Sequence, residues 1–120
     1  MFSLKWYRLT RESEIIPGQV QVRKVFGRLV GITNVDGCIY VFDGRCPHAG
    51  RSLQDSVAAP SGIVVCATHG FRLSLYPQPC AVKAMPLTRF AFRICNGYVE
   101  LDWQSLLRDR AAIEIGVPPR

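Results

Sequence analysis

Histidine is nearly missing from this chain: its 120 residues contain two, His48 and His69. Long apolar runs are absent as well, and no stretch approaches the roughly 18 apolar residues that a membrane-spanning helix needs. No run of Lys and Arg is dense enough to mark a nucleic-acid patch, and no nucleic-acid motif is present. There is no internal repeat and no low-complexity tract. The first residues lack the apolar core of a secretory leader, because Lys5, Arg8, Arg11 and Glu12 interrupt it. The five cysteines, Cys38, Cys46, Cys66, Cys80 and Cys95, are odd in number and irregularly spaced, which makes a poor disulfide framework. These absences exclude a disulfide-stapled scaffold and lead us to expect a cytoplasmic protein with no membrane and no nucleic-acid partner.

What is present fits one globular domain spanning residues 1–120, with 48% hydrophobic and 20% charged residues. The formal net charge of +6 is moderate: it suits a solvated surface or an acidic partner. Most of the chain reads as short strands divided by strong turn signals. Expected strands cover residues 5–9, 19–26, 28–34, 38–42, 63–65, 89–95 and 98–101, with a Pro17-Gly18 turn after the first. Asp36-Gly37 and Asn96-Gly97 mark tight hairpins, whose two central residues need positive φ. The expected architecture is all-β: a small antiparallel barrel or sandwich with two loops projecting from it. Asp102 is placed to cap a short C-terminal helix carrying Trp103, Leu106, Leu107 and Arg110 at helical spacing. The core then covers about residues 5–102, and 103–120 form a helical or flexible extension.

The two loops carry the chemistry. Residues 45–53 (RCPHAGRSL) and 66–75 (CATHGFRLSL) flank the apolar strand at 63–65. Each of the two histidines stands just after a cysteine, as Cys46-x-His48 and as Cys66-x-x-His69. Such spacings put two ligands on one tight loop, and Gly50 and Gly70 beyond each His allow close backbone approach. Soft thiolates with imidazoles suit zinc or an iron–sulfur centre. Structural zinc sites space two cysteines together and two histidines together. Here each loop contributes one of each, which suits a cluster whose irons differ, one bound by both cysteines and the other by both histidines.

On these residues the sequence resembles the Rieske family. CPHAG at 46–50 and CATHGF at 66–71 match its two cluster-binding boxes, and the 17 residues between His48 and Cys66 fall within its spacing. WYRL at 6–9, PGQV at 17–20, the hairpin before the first box and the FAFRICNGYVEL ending follow the order seen in Rieske-type ferredoxins. The resemblance implies a [2Fe–2S] cluster, with Cys46 and Cys66 on a buried iron and His48 and His69 on an outer, exposed one. It implies Gly50, Gly70 and Phe71 around the cluster, and a proline as a third wall, for which Pro86 is the candidate and Pro77 or Pro79 the alternatives.

Departures narrow the resemblance. The Rieske proteins of cytochrome bc complexes bridge their loops by a disulfide, whereas the matching positions here are Arg51 and Thr68. Those proteins also place hydroxyl donors where this chain has Phe71 and Leu73. Fewer donors leave the reduced cluster less stabilised, so the expected potential is around −150 mV, the low end of the Rieske range. The resemblance therefore implies a non-enzymatic electron carrier between a flavin-dependent ferredoxin reductase and a terminal oxygenase. Its alternatives are a small Rieske subunit of a nitrite-reductase-like enzyme and a structural metal-binding or iron–sulfur sensor module. Cys38, Cys80 and Cys95 are expected to be buried or half-buried strand residues. Arg45, Arg51, Arg72 and Lys83 are either solvated loop charge or a basic rim that steers an acidic partner.

Overall fold

The computed structural model describes residues 6–47, 50–67, 70, 72–75 and 84–106. The chain falls into two compact units, one formed by Ile15–Arg89 and the other by the two ends of the chain.

The Ile15–Arg89 unit holds two sheets. In the first, β2 (Gln21–Val25), β3 (Arg28–Val35) and β4 (Cys38–Asp43) form an antiparallel meander in that order. Asp36 and Gly37 turn between β3 and β4 with φ of 56° and 88°, as the sequence predicts. The β2–β3 turn differs from expectation. Phe26, read as a strand residue, sits in the turn with φ 49° beside Gly27 at 79°, its side chain largely exposed. The two-residue turn needs two left-handed positions, and Gly27 supplies only one.

The second sheet has the order β5-β6-β7-β8, from β5 (Val57–Ala58), β6 (Ile63–Val65), β7 (Arg72–Ser74) and β8 (Met85–Pro86). Its first two pairings are antiparallel, but β7 and β8 run parallel. No turn signal announces a two-residue strand, so β5 and β8 escape sequence reading. One apolar cluster serves both sheets, with Val20, Phe42, Leu53, Val64, Leu73, Leu75 and Leu87 among its members. Burying each large side chain there contributes about 1.5–3 kcal/mol before chain entropy is subtracted.

The other unit is a three-stranded antiparallel sheet ordered β1 (Trp6–Arg11), β10 (Tyr98–Asp102), β9 (Phe92–Cys95). A bulge between Arg8 and Thr10 carries β1 past its expected end at residue 9. Strand β9 starts three residues later than expected because Arg89 pairs with Phe42 in the larger unit instead. Asn96-Gly97 forms the expected turn, φ 52° and 79°. Glu100, 7% exposed, receives Arg93 Nε at 2.7 Å and lies 3.5 Å from Arg8 Nε. Both guanidiniums stack on rings, Arg8 over Tyr98 and Arg93 over Trp6, each at 4.4 Å. A buried carboxylate is tolerated when paired in this way.

Asp102 caps as expected: its Oδ1 accepts from the Gln104 N–H at 3.1 Å, ahead of a helical turn at 104–106. Leu107 and Arg110 lie outside the described residues. Among those residues no helix is long and apolar enough to cross a membrane. The cysteine expectation holds in part. Cys95 is half-buried, but Cys38 is exposed, because it opens the edge strand β4 directly after the turn. Cys80 lies outside the described residues.

Gly31 stands directly opposite Phe42, whose fully buried ring fills the space a side chain would take. A Cβ there would lie 2.5 Å from Phe42 Cε2. Gly31→Ala is expected to lose about 1–3 kcal/mol of stability by overpacking, read as a lower urea midpoint.

Candidate metal centre

Strand β4 runs through Phe42 and Asp43 into the first cysteine–histidine loop, and β6 runs directly into the second. Each loop is clamped at its neck. The first is closed by the Arg45–Ser52 bridge and by the Cys46 N–H donating to Arg51 C=O at 2.7 Å. The second is the connection of the β6–β7 hairpin, closed by the Val65–Arg72 pair. Gly44 makes the entry to the first loop possible. Its added Cβ would meet backbone of Gly31 and Leu29 at 3.0 Å, and its N–H donates to Leu29 C=O at 2.9 Å.

The same turn is built in both loops. The Gly50 N–H donates to Cys46 C=O at 2.7 Å, and the Gly70 N–H donates to Cys66 C=O at 2.9 Å. Both glycines are left-handed, at φ +70° and +71°. Each loop is thus a single five-residue turn beginning at its cysteine and ended by an αL glycine, in the manner of a helix C-terminus. Cys46 and Cys66 are each 1% exposed and belong to one apolar cluster with Leu53, Val64, Leu73 and Leu75. Neither is in a disulfide. His48, His69 and Phe71 lie outside the described residues. Of the predicted set, the structure describes the two cysteines and places both in one buried apolar cluster.

Residues 5–93 match the family model described as the Rieske [2Fe-2S] domain. The chain belongs to this family. Solved structures share the fold of the Rieske domain. The ferredoxin of carbazole 1,9a-dioxygenase from Nocardioides aromaticivorans IC177 superposes with a TM-score of 0.67 at 18% identity, covering 81% of this chain and 96% of that one. The Sphingomonas yanoikuyae B1 ferredoxin gives 0.67 at 22%, covering 81% and 97%. The reduced complex between oxygenase and ferredoxin in carbazole 1,9a-dioxygenase gives 0.65 at 20%, covering 84% of this chain and 29% of that one. Among curated proteins, the cholesterol 7-desaturase nvd of Xenopus laevis is 29% identical over 68 residues, which is 56% of this chain. The chain spans only about 15% of that relative's length.

The Rieske [2Fe–2S] cluster that the family carries fits the residues present. A lone thiolate within an apolar cluster bears a heavy desolvation cost. Metal coordination removes that cost, because a cysteine ligand binds deprotonated. Two soft donors, both buried in one apolar cluster at the starts of matched turns, suit iron–sulfur coordination.

Around the first loop the structure adds groups that sequence reading missed. An open cleft of about 270 Å³ is lined by Cys46, Pro47, Gly50, Pro86 and Leu87, with Asp43, Arg45 and Thr88. Pro86 is exposed on β8 and lines this cleft together with Cys46 and Gly50. Pro77 and Pro79 lie outside the described residues. Asp43 anchors the cleft wall: its Oδ1 accepts from the Arg45 N–H at 3.1 Å, and it pairs with Arg45 Nε at 3.4 Å and Arg28 Nη2 at 3.5 Å. Of the predicted basic rim, Arg45, Arg51 and Arg72 are all exposed, and Arg45 shares the Asp43 carboxylate with Arg28. Lys83 lies outside the described residues. The backbone N–H to carboxylate bond of Asp43 carried no signal in the sequence beyond a generic turn residue.

A Cβ at Gly50 or Gly70 would meet no protein atom within 4 Å, so within the polypeptide alanine there is opposed by backbone strain. Gly50→Ala and Gly70→Ala should each cost about 1–2 kcal/mol. Asparagine, which tolerates the left-handed region better, should cost less at both. Denaturant midpoints of the four variants check this, and a large excess for one glycine would show that the two turns are not equivalent.

Proposed function

We propose that Cys46, His48, Cys66 and His69 hold the cluster, the cysteines on one iron and the histidines on the other. In this reading residues 1–120 form one Rieske domain. It passes single electrons from a flavin-dependent reductase to a terminal oxygenase. The observation that carries the reading is the pair of matched Cys-to-Gly turns. Each holds a buried cysteine and each contains one of the chain's two histidines.

A bound cluster of this type supplies a one-electron couple. The chain's own residues do the rest. Cys46 and Cys66 present thiolates from an apolar wall formed by Leu53, Leu73 and Leu75, which keeps water from the sulfur side. Pro86 flanks the first loop as the third wall. Phe71 and Leu73 offer no side-chain donor to cluster sulfur, which sets the potential near the low end of the range, around −150 mV. Four protein ligands complete both irons and leave no open position for substrate, so the domain is a carrier. The complex of an oxygenase with a ferredoxin among its structural neighbours supports an oxygenase as acceptor.

A second reading is favoured by the desaturase match, which covers a small part of a much longer protein. There the domain works as a resident electron carrier in a larger enzyme, the class that includes a nitrite-reductase-like assembly. Stable co-purification with a large catalytic chain favours this reading, and multiple turnovers between separable partners favour the first.

Electron paramagnetic resonance of the reduced protein with iron analysis tests the ligand set. About two irons per chain and a signal showing nitrogen ligation are expected. Zinc in place of iron, or an unaltered spectrum after His48→Cys or His69→Cys, overturns it. Electron transfer to an acidic partner should slow as ionic strength rises, since exposed charges separated by more than about 10 Å are screened at 0.1 M salt. Arg51→Gln with Arg72→Gln should flatten that dependence in stopped-flow measurements.

A further inference from the structure

Positions 51 and 68, matched above to a bridging disulfide in one branch of the family, hold Arg and Thr in this chain, and Ser56 makes a different link between the two loops. It follows the first loop by way of a tight turn in which the Ser56 N–H donates to Leu53 C=O at 3.0 Å. Its own C=O accepts from the Val20 N–H at 2.8 Å, and the Asp55 N–H donates back to Val20 C=O at 2.9 Å. Asp55 is held in the left-handed region at φ 67° to complete the turn. The backbone of Ser56 is therefore pinned on both sides.

Its side chain faces the second loop. Val57 pairs with Val65 across β5 and β6, and Ala58 with Val64. One register step further sets Ser56 opposite Cys66, both 1% exposed. At that step β6 ends and the second loop begins. There the Ala67 N–H donates to Ser56 Oγ at 3.1 Å. A side-chain oxygen thus continues the ladder one rung past the last backbone pair, and the residue it holds is the neighbour of Cys66.

We propose that Ser56 is a positioning residue for the cluster: its hydroxyl ties the exit of the first loop to the start of the second. It takes over, by a single hydrogen bond, the bracing that a disulfide gives elsewhere. The proposal rests on the ligand reading above, through Cys66. Removing the oxygen frees the Ala67 amide and loosens the Cys66 turn without touching a ligand. A covalent bridge resists loop separation whatever the fluctuation, whereas one hydrogen bond has a net worth of only about 1 kcal/mol. The brace is accordingly local and reversible.

The test compares two isosteric or near-isosteric pairs in the loaded, full-length protein: Ser56 against Ser56→Ala, and Ser56→Thr against Ser56→Val. The second pair adds the same bulk to both members and differs only in the hydroxyl, so it remains informative if alanine packs badly. Cluster release into excess EDTA, followed by loss of visible absorption, should be roughly five- to tenfold faster in the member lacking the hydroxyl. The resonance lines of the reduced cluster should broaden in the same members and sharpen again with threonine. Val99→Ala, a buried truncation in β10, serves as a control that lowers stability elsewhere. Equal release within both pairs overturns the proposal, as does faster release with the unbroadened spectrum of the Val99→Ala control. A wild-type spectrum without nitrogen ligation sinks the ligand reading instead, whatever the Ser56 variants do.

Discussion

Two cysteine side chains embedded in an apolar core set the terms for the larger unit of this protein. Cys46 and Cys66 are as buried as the leucines around them, and sulfur buried in that way is either inert thiol or a metal ligand. Membership of a family that carries an iron–sulfur cluster is the ground on which we propose the ligand role. Under that proposal the surrounding structure serves to hold two sulfur atoms still. Short strands deliver each cysteine, necks close each loop, and left-handed glycines end each turn one residue short of the next strand or bridge. Gly31 and Gly44 serve the same end further back, letting Phe42 and the β4 exit pack closely enough to fix where the first loop starts.

The two loops are closed by the same Cys-to-Gly bond and differ in sequence. Each runs from a cysteine carbonyl to a glycine N–H four residues on, yet the histidine is the third residue of one turn and the fourth of the other. The smaller unit follows another logic. Its sheet is covered by guanidiniums stacked on Trp6 and Tyr98 around the buried Glu100, and it holds no member of the proposed ligand set.

Electrostatics around the cleft also rest on pairing. Asp43 takes up Arg45 and Arg28, so a count of loop arginines overstates the free positive charge. The Arg45–Asp43 pair, exposed on its arginine side, adds little stability, but it fixes direction: Arg45 lines the cleft wall, while Arg51 and Arg72 are exposed.

The hairpins at Asp36-Gly37 and Asn96-Gly97, the Asp102 cap and the two cysteine–histidine loops were legible from residue order, because each depends on contacts within a few residues. The same locality made the ligand spacing readable, and with it the family. What residue order did not determine was everything set by long-range pairing. Phe26 looked like strand until the β2–β3 turn required a second left-handed residue. Cys38 looked like core until β4 took the sheet edge. Strands β5 and β8, two residues each, exist only because neighbours hold them, and the parallel β7–β8 pairing has no local signature. Ser56 shows the limit most clearly: a serine in a loop is unremarked in sequence, and only the β5–β6 register sets it opposite Cys66. The sequence by itself determined the family and, with it, the cluster type, since residue type and spacing in the two cysteine–histidine boxes are local properties of the chain. The tertiary structure decided how that site is buried and braced, since burial and bracing depend on residues that meet only when the strands pair.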